Sequence, residues 1–140
     1  MPSERTRFVV FDTSVYIEDF RTGRFTLQML QSSFIPRCSS VVLHELLRGA
    51  RTVLEVRFVR DLLKRCRVVT PTESHWIEAA EVLSVIRRRP HYEASTLPGL
   101  AFDVLIALSA RGIGATVITR NAIDFRVIRR HVSFDVLYWQ

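Results

Sequence analysis

The sequence predicts an α/β fold: a three-layer α/β/α sandwich on a mostly parallel sheet. Two apolar runs without polar alternation, Phe8-Val9-Val10-Phe11 and Ala115–Thr119, suit strands covered on both faces. Runs of this kind alternate along the chain with longer stretches whose apolar residues recur every three or four positions, as in helices. Both runs also lead directly into polar groups, Asp12-Thr13-Ser14 and Arg120-Asn121, with Asp124 three residues further on. In parallel sheets ligands bind beyond the carboxyl ends of the strands, which is where these residues would stand.

Taken in order, the Phe8–Phe11 strand is followed by a short helix over Thr13–Phe20, a break at Arg21-Thr22-Gly23-Arg24 and a second helical piece over Phe25–Ser32. Phe34–Cys38 reads as a strand, and Pro36, which has no N–H to give a ladder, argues for an edge position. Ser39 and Ser40 offer an N-cap to a helix over Val41–Leu47 that contains Glu45 and ends near Gly49. Thr52–Cys66 carries Val56, Val59, Leu63 and Cys66 as an amphipathic stripe expected in the core.

Arg67–Thr70 is a short strand, and Thr70-Pro71-Thr72-Glu73 supplies a capping hydroxyl, a proline at the first helical position and a glutamate at the third. The helix so begun buries Trp76, Ala79, Ala80, Leu83 and Ile86, reaches Arg87-Arg88-Arg89 and stops at Pro90. The arginine triplet reads as a solvated helix end, favoured by the macrodipole. A loop spans His91–Gly99, and Leu100–Ala110 resumes as a largely buried helix with Asp103 in its first turn. The strand ending at Thr119 runs into a helix that ends near Arg129-Arg130, and Val132–Trp139 closes the chain as a last strand.

With 140 residues, 48% of them hydrophobic and 24% charged, residues 1–140 are expected to form one globular domain. No apolar run approaches the roughly 20 residues of a membrane span, and Asp12 interrupts the first apolar segment too early for a signal peptide, so a cytoplasmic protein without membrane association is expected. Cys38 and Cys66 lack metal-ligand or redox spacing and read as buried thiols. The net charge of +6 comes almost entirely from arginine, Lys64 being the single lysine. That excess points to a polyanion or an acidic protein partner.

The acids carry the chemistry. Asp12 at a strand end either caps the following helix or forms one wall of a metal site, and the position alone leaves both open. Asp103 lies among Ala101, Phe102, Val104, Leu105 and Ile106, where burying an unpaired carboxylate costs several kcal/mol. If the strands before Asp12 and Asn121 are neighbours, Asp12, Asp103 and Asp124 meet at one sheet edge, with Glu45 as a further wall. A cluster of mutually repelling acids is best explained by a cation, and an all-oxygen ligand set favours Mg²⁺ or Mn²⁺ over zinc. A dehalogenase-type phosphatase would need an acid at Ser14, and a receiver domain an acid pair beside Asp12 and a lysine after the last strand.

The order Asp12-Thr13-Ser14, Ser40 with Glu45, Asp103-Val104-Leu105-Ile106-Ala107 and Thr119-Arg120-Asn121-Ala122-Ile123-Asp124-Phe125 resembles the PIN-domain family, most of all the VapC-type toxin ribonucleases. The resemblance implies a PIN-like sandwich and a Mg²⁺-dependent endoribonuclease, usually homodimeric and held inactive by a cognate antitoxin. It makes Asp12, Glu45 and Asp103 metal anchors, with Asp124 joining directly or through water. Ser14, Thr119 and Asn121 would orient ligands or touch the RNA phosphate. The other readings of such a chain are a housekeeping RNA-processing nuclease and a non-catalytic module that binds RNA or a partner.

Overall fold

Strands Arg7–Phe11 (β1), Phe34–Ser39 (β2), Arg67–Val69 (β3), Thr116–Thr119 (β4) and Asp135–Tyr138 (β5) form one sheet in the order β3-β2-β1-β4-β5. Every pairing is parallel. The computed structural model describes residues 5–89 and 97–140, so Pro90 and most of the loop expected over His91–Gly99 lie outside the described residues. Seven helices accompany the strands among the described residues: Thr13–Thr22 (α1), Thr26–Met29 (α2), Ser40–Gly49 (α3), Val53–Arg65 (α4), Glu73–Arg87 (α5), Leu97–Gly112 (α6) and Ala122–Arg129 (α7). This is the three-layer α/β/α arrangement that the alternation of runs predicts, with a sheet that is wholly parallel.

The central strands follow from their composition. Val9, Val10 and Phe11 of β1 and all four residues of β4 are buried, as two-sided coverage requires. Helix α6 is apolar around most of its circumference and buries Leu100 and every residue from Asp103 to Ala110. Trp139 packs at tilted angles against Phe11, Phe25 and Phe34 at one end of the core.

Four details depart from the sequence reading. Strand β2 lies between β1 and β3 rather than at an edge. Its proline is tolerated because the ladder to β3 begins at Arg37, one residue after Pro36. Helix α5 is capped by Thr72, whose hydroxyl accepts from the His75 N–H while His75 Nδ1 accepts from the Thr72 N–H, so the box sits two residues later than Thr70 and uses His75 in place of Glu73. Its buried face runs through Ala79, Val82 and Ile86, leaving Trp76 55% exposed, and on α4 Leu63 is likewise turned outward while Phe58, Val59 and Leu62 pack. Helix α6 is already formed at Leu97, so Asp103 stands in its second turn.

No described helix is long and apolar enough to cross a membrane.

Candidate active site

The chain runs from β1 outward through β2 and β3 and then returns to the other side of β1 as β4, which makes the β1–β4 boundary a topological switch point. Phe11 is paired with Ile118 there, and the Asp12 N–H donates to the Ile118 carbonyl at 2.8 Å. The two strand ends therefore deliver Asp12 and Thr119 side by side, as sequence reasoning requires if the strands are neighbours.

Asp12 occupies the N-cap position of α1, yet its side chain makes no capping bond. Its Oδ2 instead accepts from the Ser14 hydroxyl at 2.8 Å and the Thr119 hydroxyl at 2.7 Å. Both hydroxyls are themselves fixed by the next loop: Ser14 Oγ accepts from the Arg120 N–H and Thr119 Oγ1 from the Asn121 N–H. Asn121 caps α7 through the Asp124 N–H, and its side-chain amide donates to Asp124 Oδ2 at 3.0 Å. Ser39 caps α3 by accepting from the Val41 and Val42 N–H groups, and that helix carries Glu45 toward the same edge. The Thr13 hydroxyl then donates to Glu45 Oε1 at 3.1 Å, tying α3 to the start of α1.

The four acids act on one another. Asp103 has its carboxyl pushed up to about 9, by burial first and then by the charges of Asp12, Glu45 and Asp124. Burial also raises Asp12, against the hydrogen bonds from Thr119 and Ser14 that pull it down. Glu45 is raised by burial and by the charge of Asp12, with the Thr13 hydroxyl opposing. No ion pair to these acids is present among the described residues, so no arginine neutralises the cluster in the way that Glu18 and Glu78 are neutralised.

The structure thus brings together Asp12, Ser14, Thr119, Asn121 and Asp124 in one hydrogen-bonded set, and places Glu45 and Asp103 within electrostatic reach of it. Among the described residues no three of His, Cys, Asp and Glu close a metal cage by themselves. An open arrangement of hard oxygens nonetheless fits a hard divalent cation of the kind that keeps several waters and takes only one or two carboxylates directly. Asp12, Glu45 and Asp103, with Asp124 through its Asn121-held carboxylate, are the residues that would hold it.

A profile of the PIN domain family matches residues 9–130. The chain belongs to the PIN domain family. No curated protein matches its sequence. Solved structures with the PIN fold are similar to it over nearly their whole length. VapBC-1 from nontypeable Haemophilus influenzae is 20% identical with a TM-score of 0.66, covering 94% of this chain and 98% of that one. VapBC2 from Rickettsia felis, bound to a DNA fragment from its promoter, is 18% identical with a TM-score of 0.69, covering 95% and 99%. VapBC-5 from Mycobacterium tuberculosis, a member of the VapBC family of toxin-antitoxin systems, is 20% identical with a TM-score of 0.60, covering 95% and 99%. At such identities the likeness speaks for the PIN fold.

Thr13 and Arg120 take part in the site although the sequence does not single them out for it. Thr13 meets Glu45 across 32 residues of chain, and Arg120 contributes its backbone N–H to Ser14 while its side chain pairs with Glu18 at 3.1 Å. Thr13 stands between Asp12 and Ser14, and position beside two singled-out residues is the only signal that could have found it.

Proposed function

We propose that this PIN domain is a Mg²⁺-dependent endoribonuclease, with Mn²⁺ as a substitute, and that it acts as the toxin of a toxin-antitoxin pair. The observation that carries the reading is the convergence of Asp12, Glu45, Asp103 and Asp124 at the switch point, where burial first and then the charges of the other three acids push the Asp103 carboxyl up to about 9. A bound divalent ion supplies a nucleophile at neutral pH and a counter-charge for phosphodiester cleavage. Ser14 and Thr119 fix the Asp12 carboxylate in one orientation, and Asn121 does the same for Asp124. Thr13 sets the rotamer of Glu45. The arginine-rich surface favours the phosphate of the substrate.

The toxin role draws on the VapBC likenesses and on a groove beside the acids. That groove, of about 420 Å³, is lined by Tyr16, Ile17, Phe20, Leu46 and Phe58 and includes Glu45 in its wall. An apolar segment of a cognate antitoxin lying there would have its polar end at the acids. A homodimer is the expected assembly, and a cytoplasmic location suits an enzyme that meets cellular RNA.

Incubation of the purified protein with single-stranded RNA tests the reading. Cleavage in Mg²⁺ or Mn²⁺ that stops in EDTA and returns on re-addition of either ion is the expected result. Full cleavage in chelator removes the metal-dependent mechanism, and no cleavage under any condition leaves a binding module.

A further inference from the structure

The acids of this site repel the polyanion they are proposed to cut, so the substrate needs cationic and stacking contacts close beside them. Such a cluster lies on α3 and α6. His44 precedes Glu45 on α3 and Arg48 follows one turn later on the same helix face, while Phe102 precedes Asp103 on α6. The His44 and Phe102 rings have centroids 5.8 Å apart at 54°, and the Arg48 guanidinium lies over the Phe102 ring at 5.6 Å from its centroid. Phe102 is half-buried against the core, whereas His44 and Arg48 are exposed. Among the described residues Arg48 forms no ion pair with a carboxylate, although both it and His44 favour the charged form of Glu45.

Resting on the nuclease reading, we propose that His44, Arg48 and Phe102 form a subsite for one nucleotide of single-stranded RNA flanking the scissile bond. Arg48 takes the phosphate, and the outer faces of the Arg48 plane and the His44 ring take the base. Single-stranded RNA bases stack on aromatic rings and guanidinium planes, whereas a paired base must first be unpaired and unstacked, at a cost of about a few kcal/mol. Phe102 is a positioning residue that braces both groups from below. The same geometry explains why an arginine stands next to the acids without closing an ion pair that would quench them.

The test is a steady-state cleavage assay on a mixed-sequence single-stranded RNA in Mn²⁺, with the salt dependence of KM, for wild type and the variants Arg48→Ala, Arg48→Lys, His44→Ala and Phe102→Leu. Arg48→Ala should raise KM by about tenfold, the worth of one charged hydrogen-bonded contact, and flatten the slope of log KM against log salt by about 0.7. Arg48→Lys should restore the slope but not the whole of KM. His44→Ala and Phe102→Leu should raise KM several-fold at nearly unchanged kcat, with leucine keeping the core filled. Wild type that cleaves while all four variants keep its KM and salt slope overturns the subsite alone, as does a melting change in Phe102→Leu with no change in KM. Wild type that cleaves no RNA overturns the nuclease reading and the subsite with it.

Discussion

Replacing Asp103 by asparagine should make the metal-free protein more stable at neutral and alkaline pH, although the residue is buried. Asparagine has the shape of the protonated carboxyl and does not titrate. In the unfolded chain an aspartate ionises near its ordinary value of 3.8, while in the folded protein Asp103 keeps its proton to about 9. Between these values the native state binds more protons than the unfolded state, so stability falls as pH rises through that window and levels off above it. At 1.36 kcal/mol per pH unit the loss by pH 8 is at most about 6 kcal/mol, and water at the open rim reduces this to about 2–4 kcal/mol. For a domain of this size about 3 °C accompanies each kcal/mol, which gives a melting difference of roughly 6–12 °C. Thermal unfolding of wild type and Asp103→Asn in EDTA at pH 5, 6.5 and 8 measures it. The two proteins should melt within a few degrees at pH 5 and diverge as pH rises, with the variant ahead. Parallel profiles would refute the reasoning, since Asp103 would then ionise without feeling either its burial or the other three acids.

The acids should also differ in catalysis. Asp103→Asn removes the direct metal anchor that we propose and should lower the cleavage rate by about 10³-fold or more, whereas Asp124→Asn should cost about 10–100-fold and recover in part at higher Mn²⁺. A Mn²⁺ titration of both rates checks this, and equal inactivity at every concentration contradicts it. Thr119→Val deletes one of the two hydroxyls that hold Asp12, so it should cost about 1–2 kcal/mol of stability and raise the Mn²⁺ concentration at half-maximal rate; an unchanged Mn²⁺ requirement would show that Asp12 needs no such support. Ser39→Ala removes the cap of α3 and should lower stability by about 1 kcal/mol in urea unfolding, with no cap contribution if the midpoint stays in place.

Those residues of the site that follow strands were legible because a strand end is a fixed place. With Phe8–Phe11 and Ala115–Thr119 read as central strands, Asp12 and the Asn121-Asp124 pair meet near one edge if the two strands are neighbours, and the structure pairs them. The side-chain partners were not legible in the same way, because Thr13 finds Glu45 and Thr119 finds Asp12 across long stretches of chain. Local signals also misplaced two helix starts and one strand position. Thr70 and Thr72 both offer a capping hydroxyl, and only the folded chain shows that His75 reciprocates with Thr72. Pro98 and Gly99 look like loop residues, yet proline fits the first turn of a helix, so α6 includes them. Pro36 argued for an edge, but the edge it needs is local, since β3 runs beside only the end of β2. On α5 the reading placed Ala79 and Ile86 correctly, but Trp76 and Ala80 turn outward and Val82 is buried in addition.

The most direct test of the acid cluster as a cation site is calorimetric titration of Mn²⁺ into the metal-free protein at pH 7.5, in two buffers of different ionisation enthalpy. A cation that replaces the proton held by Asp103 should bind with a buffer-dependent heat equivalent to about one proton released. Asp103→Asn should bind more weakly and show no buffer dependence. Tight Mn²⁺ binding that releases no proton, or that is indifferent to Asp103, would contradict the account.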